Sequence, residues 1–410
     1  MFASDIQAVV FAAGRGSRMT HLVGSSVPKC LLRICGQPLI YYPLKSLANY
    51  GFQDVVVIIQ EREDVHKEVE RLGSSMGLRT EFLTVQEDDE DFGTLQSLRS
   101  FMKSNKLNKQ KKDILLISCD TITDTPLMCL VNFHQTYSSG CTALFAKNYI
   151  PPMPTGVKLP GPKNKVKQER DIVGLKPGNN QLIFMASEAD FEEDLNIPIE
   201  VLQASPHTKI NTSLMDTHIY LLKREVLERY VQSKDTADFL SVKGEFLPYL
   251  ISQQLKNFSK SDQVNTFIHP DENVTLFGYM LPNNNTIRVN TVAAFSSACK
   301  SVEWLKQTFP EAGSRPRDTQ ISKSSKLVAA QLGDQCIVGE KVKLVNVIAM
   351  DSVTFEEGCQ VENSLISCNA IIGAKAVVKE CLVGPGYQVP EGGRFVNENL
   401  TVMEETLFED

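Results

Sequence analysis

The sequence lacks the features that mark several common protein classes. Its ten cysteines include no C-x-x-C pair, and no His/Cys group has zinc-finger spacing, so no structural zinc site is predicted. No apolar run approaches the roughly 18 residues of a membrane-spanning helix. The first residues contain no basic region followed by an apolar segment of signal-peptide length. We therefore expect a reduced protein of the cytosol with no membrane partner.

An excess of positive charge is also missing. Lys and Arg number 42 against 49 Asp and Glu, which gives a formal net charge of −7. This balance argues against nucleic acid as a direct partner. Basic runs at 103–112 and 163–167 are interpreted as solvated segments. A length of 410 residues with 42% apolar residues predicts more than one domain, each with its own core.

Strand-like apolar runs and helical patterns alternate through the first part of the chain. Strands are predicted at 7–12, 54–59, 80–85 and 113–118, and helices at 38–50, 61–72 and 94–102. This alternation predicts an α/β fold with a mainly parallel sheet covered on both faces. Because ligands bind at the carboxyl ends of such strands, we expect residues 14–18 and 119–124 on one rim of the sheet.

A loop with two glycines follows the first predicted strand and reads AAGRGSRM. Gly14 and Gly16 allow backbone amides to approach phosphate oxygens, and Arg18 can neutralise their charge. A plain strand-to-helix turn would explain such a loop equally well. The pattern continues, however, with Pro28-Lys29, then a Leu-Leu pair, then the segment GQPLI at 36–40.

The composite G-x-G-S-R…P-K-x-L-L…G-x-P-L-I resembles the signature of the sugar-phosphate nucleotidyltransferases. The resemblance implies a Rossmann-like domain with a nucleotide site built by matching positions of this chain. Those positions are Gly14, Gly16, Arg18 and Lys29 at the phosphates, Gln86, Gly93 and Thr94 near the base, and Asp120 as a metal ligand.

Departures from that family's pattern predict that the site is vestigial. The E-K-P segment that positions the sugar phosphate has no counterpart, and the corresponding region reads LIFMASEADFEEDL. The segment expected to hold a second metal aspartate reads TIRVNT at 286–291 and contains no carboxylate. Milder changes are Ala13 for the first loop glycine and P-K-C-L for P-K-P-L. We therefore expect no catalytic residues, no cofactor and a pseudoenzyme.

A repeat with steps of six, six and five residues runs through the last part of the chain. All thirteen positions of this repeat are apolar: Leu332, Val338, Leu344, Ala349, Phe355, Val361, Ile366, Ile372, Val378, Val383, Val389, Phe395 and Leu400. Compact residues such as Cys336, Cys359 and Cys381 precede them by two positions. Each set of three steps predicts one triangular coil with its apolar residues inside. A β-sandwich is the alternative. The pattern resembles the hexapeptide-repeat proteins, which implies a left-handed parallel β-helix.

The predicted domains are a nucleotidyltransferase-like domain at 1–308, a linker at 309–326, the β-helix at 327–403 and an acidic tail at 404–410. A helix is expected near the end of the first domain, at 296–308.

Segments that the active enzymes do not share point to a narrower family. They include ISCDTITD, QERDIVGL, SLMDTHIYLLKREVL and RVNTVAAFSSACKSV. With the loop sequence they resemble the gamma subunits of the eukaryotic translation initiation factor 2B complex. The resemblance implies a non-catalytic subunit of the guanine-nucleotide exchange factor that acts on translation initiation factor 2. Its implied partners are the epsilon subunit, which carries the exchange activity in a C-terminal domain not expected here, and the other subunits. The alternative is an active sugar-phosphate nucleotidyltransferase such as mannose-1-phosphate guanylyltransferase.

Overall fold

The computed structural model describes residues 5–14, 16–23, 27–85, 93–147, 171–187, 195–261, 274–280, 285–313 and 316–401. These residues fall into two compact units. The first lies within Met1–Ala13, Ile40–Tyr149 and Gln168–Arg288, and the second within Gly14–Leu39, Ile150–Lys167 and Val289–Asp410. Each unit has a hydrophobic core of its own. The predicted acidic tail and residue Gln86 lie outside the described residues.

The elements up to residue 308 alternate as the sequence predicts. In chain order they are β1 (Ile6–Phe11), α1 (Thr20–Val23), β2 (Arg33–Ile34), β3 (Gln37–Pro38), α2 (Tyr41–Asn49), β4 (Asp54–Gln60), α3 (Glu63–Ser75), β5 (Arg79–Val85), α4 (Thr94–Lys103), β6 (Asp113–Ser118), β7 (Thr121–Thr123), α5 (Leu127–Thr136), β8 (Cys141–Lys147), β9 (Asp171–Leu175), β10 (Leu182–Ser187), α6 (Ile199–Ala204), β11 (Lys209–Lys223), α7 (Arg224–Tyr230), α8 (Leu247–Ser261), β12 (Leu276–Met280), β13 (Thr286–Arg288), α9 (Val292–Lys300) and α10 (Val302–Thr308). Among these, α1, β2, β3, α9 and α10 belong to the second unit.

A nine-stranded sheet organises the first unit, in the order β10-β9-β11-β6-β1-β4-β5, with β8 paired to β11 and β12. The predicted parallel core is confirmed, since β6, β1, β4 and β5 pair in parallel. The nearly continuous apolar sequences of β1, β4 and β6 are buried, as expected for strands covered on both faces, whereas β5 is largely half-buried or exposed. The long strand β11 runs antiparallel to β6, β8 and β9, an addition that the alternation of the sequence does not reveal.

Short strands make up most of the second unit. They are β14 (Gln320–Ile321), β15 (Lys326–Val328), β16 (Ile337–Val338), β17 (Lys343–Val345), β18 (Ile348–Ala349), β19 (Thr354–Phe355), β20 (Gln360–Glu362), β21 (Leu365–Ile366), β22 (Ile371–Ile372), β23 (Val377–Lys379), β24 (Leu382–Val383), β25 (Gln388–Val389), β26 (Arg394–Val396) and β27 (Asn399–Leu400). They form three parallel sheets, β14-β16-β19-β22-β25, β15-β17-β20-β23-β26 and β18-β21-β24-β27.

These three sheets are the faces of a parallel β-helix. Strands pair with those one coil away, as Ile337 with Thr354 and Thr354 with Ile371. The predicted apolar ladder is confirmed: from Val338 to Val389 its members are buried, while Leu332 and Phe395 in the end coils are partly buried. Strand β14, the first of the short strands, lies within the predicted linker. The boundaries of the linker and the handedness of the β-helix remain predictions.

Each coil turns its corners with residues in the left-handed backbone region. One corner column contains Lys341, Gly358, Lys375 and Gly392, all with φ between 54 and 71°. Two further columns recur at the same interval, one through Gln335 and Ser352 and the other through Asn346 and Asn363. Most of these residues are not glycine, so the stacked backbone hydrogen bonds between coils, such as that from the Lys375 amide to the Glu357 carbonyl at 2.9 Å, must offset the strain.

Candidate vestigial active site

Asp120 follows β6 in the first unit, at the carboxyl end of the sheet. The Cys119 amide donates to the Phe11 carbonyl at 2.9 Å, which holds the end of β6 beside the end of β1. Asp120 itself is 3% exposed. The predicted metal ligand therefore stands where ligands bind in sheets of this type.

Arg288 forms an ion pair with Asp120. Strand β13 pairs antiparallel with β7, and this register sets Arg288 opposite Thr121, the residue after Asp120. The Arg288 Nε atom lies 3.6 Å from Asp120 Oδ2, and the two side chains are 12% and 4% exposed. The stretch TIRVNT thus brings a guanidinium, instead of a second carboxylate, to the predicted metal ligand.

Further buried charges lie in the same unit on β9, β11 and the π-helical turn Val242–Phe246. Lys243 Nζ is 2.7 Å from Asp171 Oδ1, and the Asp216 amide donates to Asp171 Oδ2 at 2.8 Å. The Tyr220 hydroxyl donates to the Asp216 carboxylate. Thr121 Oγ1 donates to the Thr217 carbonyl at 2.5 Å, which joins this part of β11 to the segment after Asp120.

Burial raises the pKa of Asp216, and the neighbouring Asp171 carboxylate raises it further. Lys243, the Tyr220 hydroxyl and Arg288 act in the opposite direction. Arg288 is thus close enough to influence a second carboxylate besides Asp120. Among the described residues, no group of three or more His, Cys, Asp or Glu side chains is arranged to hold a metal ion.

Gly93 and Thr94 have structural roles at the start of α4. A Cβ atom on Gly93 would overlap the Leu240 carbonyl. That same carbonyl accepts from the Leu95 amide at 2.8 Å, and Thr94 Oγ1 accepts from the Val242 amide at 2.9 Å. Packing against residues 240–242 therefore accounts for this Gly-Thr pair. Its predicted role near a base stays a prediction.

The remaining predicted residues lie in the second unit. Gly16 has φ of 72° and precedes the helical turn Ser17–Met19, so a side chain there would be strained. Gly14 has open space where a Cβ would be. Arg18 is exposed and Lys29 half-buried, at the start of the turn Lys29–Leu31. Binding of nucleotide by these residues is untested by the structure and remains a prediction.

The segment that carries this loop packs on the β-helix. Helix α1 lies against β24, and Leu22 and Val23 are buried. Arg33 on β2 forms ion pairs with two successive coils, at 2.8 Å to Asp351 and 3.5 Å to Asp334. Burial raises the pKa of Asp351, and Arg33 counters this effect. By sequence the predicted nucleotide loop belongs to the first predicted domain, but in the structure the segment that carries it packs on the β-helix.

Sequence reasoning missed the pairs Lys243–Asp171, Arg288–Asp120 and Arg33–Asp351. Each joins residues far apart in the chain, and no local motif marks them. The only available signal was the arginine in TIRVNT at the position where a carboxylate was expected.

Comparisons with known proteins agree with this architecture. Residues 8–154 match the family model of the MobA-like NTP transferase domain. Over 423 residues the chain is 24% identical to the bifunctional protein GlmU of Thermodesulfovibrio yellowstonii, a match that covers 97% of this chain and 78% of that protein. The first part of the chain is therefore related to enzymes. Within the described residues no helix is long and apolar enough to cross a membrane.

Proteins named as translation initiation factor eIF2B subunit gamma match both parts of the chain. The one from Caenorhabditis elegans is 29% identical over 306 residues, which are 73% of this chain and 68% of that protein. That from Schizosaccharomyces pombe is 25% identical over 98% of this chain and 90% of its own length. With a nucleotidyltransferase-like sheet and a parallel β-helix in the order that the sequence predicts, the chain is similar to eIF2B gamma subunits over most of its length.

Proposed function

We propose that this chain is a non-catalytic subunit of the guanine-nucleotide exchange factor that converts translation initiation factor 2 from its GDP to its GTP form. Its direct partners would be the epsilon subunit and the other subunits of that complex in the cytosol, with initiation factor 2 as the shared substrate. The observation that carries the proposal is the similarity to eIF2B gamma subunits across both parts of the chain.

The buried charges support the non-catalytic part of the proposal. Nucleotidyl transfer in this fold class depends on a divalent cation between carboxylate ligands, which bridges the phosphates. Here the predicted ligand Asp120 faces a guanidinium at 3.6 Å. A guanidinium has only donors and supplies no oxygen to a metal, so the described donor set does not fit a bound Mg²⁺.

The architecture supports an accessory role in which the chain provides a contact surface. A parallel β-helix and a nine-stranded sheet are rigid elements, each with a buried core. A second contact surface increases effective affinity for a substrate without new chemistry. The chain would therefore assist exchange by binding and organising the complex, while the epsilon subunit displaces the nucleotide.

Release of labelled GDP from initiation factor 2 tests this proposal directly. Three reactions are compared: the chain alone, the epsilon subunit alone, and the two together. We expect no acceleration by the chain alone and a faster rate for the pair than for epsilon, most clearly at low substrate concentration. Acceleration by the chain alone would place a catalytic element in it, and a pair no faster than epsilon would remove the accessory role.

A further inference from the structure

The charged side chains around Asp120 differ from the ligands of a metal site both in the sign of their charge and in the number of carboxylates. A divalent cation is held by oxygen ligands, chiefly carboxylates. The described residues place one positive side chain at the predicted ligand, with a second cation close by at the Lys243–Asp171 pair. Both cations are largely shielded from solvent, with side chains 12% and 14% exposed.

We propose that the Arg288 guanidinium occupies the place of the divalent cation in this fold, so that the site carries a positive charge fixed to the chain and no longer binds a metal. Asp120 would then be a counter-ion of Arg288, retained because it neutralises that charge. The inference concerns this site alone and does not depend on the role in nucleotide exchange.

The register of the strands supports this assignment. Because β13 pairs with β7 through Thr286, Ile287 and Arg288, the backbone holds the base of the Arg288 side chain next to the residue after Asp120. Thr123 Oγ1 and Thr286 Oγ1 are 2.7 Å apart, and the Asn285 amide donates to Asp124 Oδ1 at 2.8 Å, so side chains fix the end of the pairing that lies away from Arg288. The backbone that carries the Arg288 side chain is therefore held by regular strand pairing.

Electrostatic repulsion explains why Arg288 and a divalent metal ion exclude each other from this site. Arginine stays protonated at any pH that proteins experience, so its charge cannot be withdrawn to admit a metal. In a buried environment a second positive charge beside it is repelled far more strongly than in water. Arg288 also interacts with Asp216, so its removal takes a cation away from two buried carboxylates, of which Asp216 still interacts with Lys243.

Manganese binding provides the first test, with the intact chain and the loss of the free Mn²⁺ electron-paramagnetic-resonance signal as readout. We expect wild type to leave this signal at its buffer value. Arg288→Asp restores a pair of carboxylates and should bind Mn²⁺ roughly tenfold or more tightly than wild type, since affinity follows the number of charged ligands. Adding Asp120→Asn to that variant should abolish the gain. Binding by wild type that Asp120→Asn abolishes would overturn the proposal, as would a folded Arg288→Asp variant that binds no better than wild type.

A second test can be carried out even if the Arg288→Asp variant does not fold without metal. Thermal melting in EDTA compares Arg288→Met, Asp120→Asn and the double variant. Arg288→Met leaves a buried carboxylate without its cation and should melt well below wild type, while the double variant should recover much of the loss, because the orphaned charge is gone. Additive losses in the double variant would show that the two side chains do not act as a pair. The matched control is Arg79→Met, which removes an exposed arginine paired with Asp54 and should change little.

Discussion

Individual residues in the predicted nucleotide site turn out to have structural roles as well. Gly93 is the clearest case. The sequence motif assigns it to a base-binding segment, yet the fold requires glycine there because the Leu240 carbonyl occupies the space of a side chain. A motif shared with an enzyme family can therefore persist for packing alone. Asp120 shows the other possibility, a predicted metal ligand whose neighbour is an arginine where a carboxylate was expected.

Substitution of the two glycines by alanine separates these roles. Gly93→Ala should destabilise the chain by about 1–3 kcal/mol, because the added methyl group forces α4 away from residues 240–242. Gly14→Ala is the matched control and should change the free energy of unfolding by less than about 0.5 kcal/mol, since its Cβ meets no neighbouring atom within 4 Å. Denaturant melts give both values. Equal losses in the two variants would contradict the packing role of Gly93.

At the scale of elements, the repeat could be predicted well and its corners could not. Apolar spacing alone located the inward face of every coil, because a residue pointing into a dry prism must be apolar. The corner residues include Lys, Gln, Ser, Asn, Glu and Gly, so no residue type signals their left-handed backbone. The long antiparallel strand β11 was missed for a related reason, since its register depends on partners far away in the sequence.

Ile372 and Lys375 test the register of the coils. Ile372→Asp would bury a carboxylate in the apolar prism and should cost more than about 4 kcal/mol, enough to unfold the repeat. Lys375→Asp, three residues on, should cost less than about 1 kcal/mol, because the side chain is exposed and Asp tolerates its φ of 58°. The readout is thermal melting of the whole chain followed by far-ultraviolet circular dichroism. Similar damage from both would show that the inward face is assigned incorrectly.

Ion pairs of Glu362 with Lys343 and Lys379 lie on the outer face of the β-helix sheet β15-β17-β20-β23-β26. Their contribution to the free energy of unfolding changes with pH in a definite direction. Hydrogen bonds from Lys343 at 2.9 Å and from Lys379 hold the pKa of Glu362 below its usual value. The ionised group therefore stabilises the fold above its unfolded pKa of about 4.3, and this stabilisation is lost as pH falls through the lower folded pKa.

Glu362→Gln should accordingly lower the free energy of unfolding at pH 7 by about 0.5–1 kcal/mol, the usual size for partly exposed pairs. The difference from wild type should disappear on acidification towards pH 3 and shrink in high salt. Glu391→Gln, at an exposed corner, is the control and should show no such trend. A difference that grows as pH falls would contradict the assigned network.

The whole molecule unites two folds that the sequence predicts separately, and its compact units cut across the predicted boundary. Residues 14–39 belong by sequence to the nucleotidyltransferase-like part but pack with the β-helix. Sequence order could not reveal this, because the contacts of Arg33 with Asp334 and Asp351 span about three-quarters of the chain. The predicted domain limits thus remain predictions about sequence segments.

Catalytic silence is the prediction at this scale, and it separates the proposed function from the alternative of an active sugar-phosphate nucleotidyltransferase. With Mg²⁺, a sugar 1-phosphate and GTP, ATP or UTP, pyrophosphate should not rise above the blank, because the metal position is taken by a guanidinium. An active mannose-1-phosphate guanylyltransferase serves as the positive control. Turnover on the order of 1 s⁻¹, an ordinary enzyme rate, would establish the alternative.

The stacked corners of the β-helix constrain how this part of the chain can change in length. Corner residues and inward residues recur at an interval of 17 residues. The hydrogen bond from the Lys341 amide to Ser324 Oγ joins two residues that are one such interval apart. Loss or gain of a single residue between corners would move the inward side chains that follow to the surface of the prism, and would place left-handed backbone positions on residues that resist them. Removal or duplication of one complete coil would preserve both patterns. Relatives of this chain should therefore differ in the length of the repeat by whole coils, and shorter insertions should be confined to bulges at the corners.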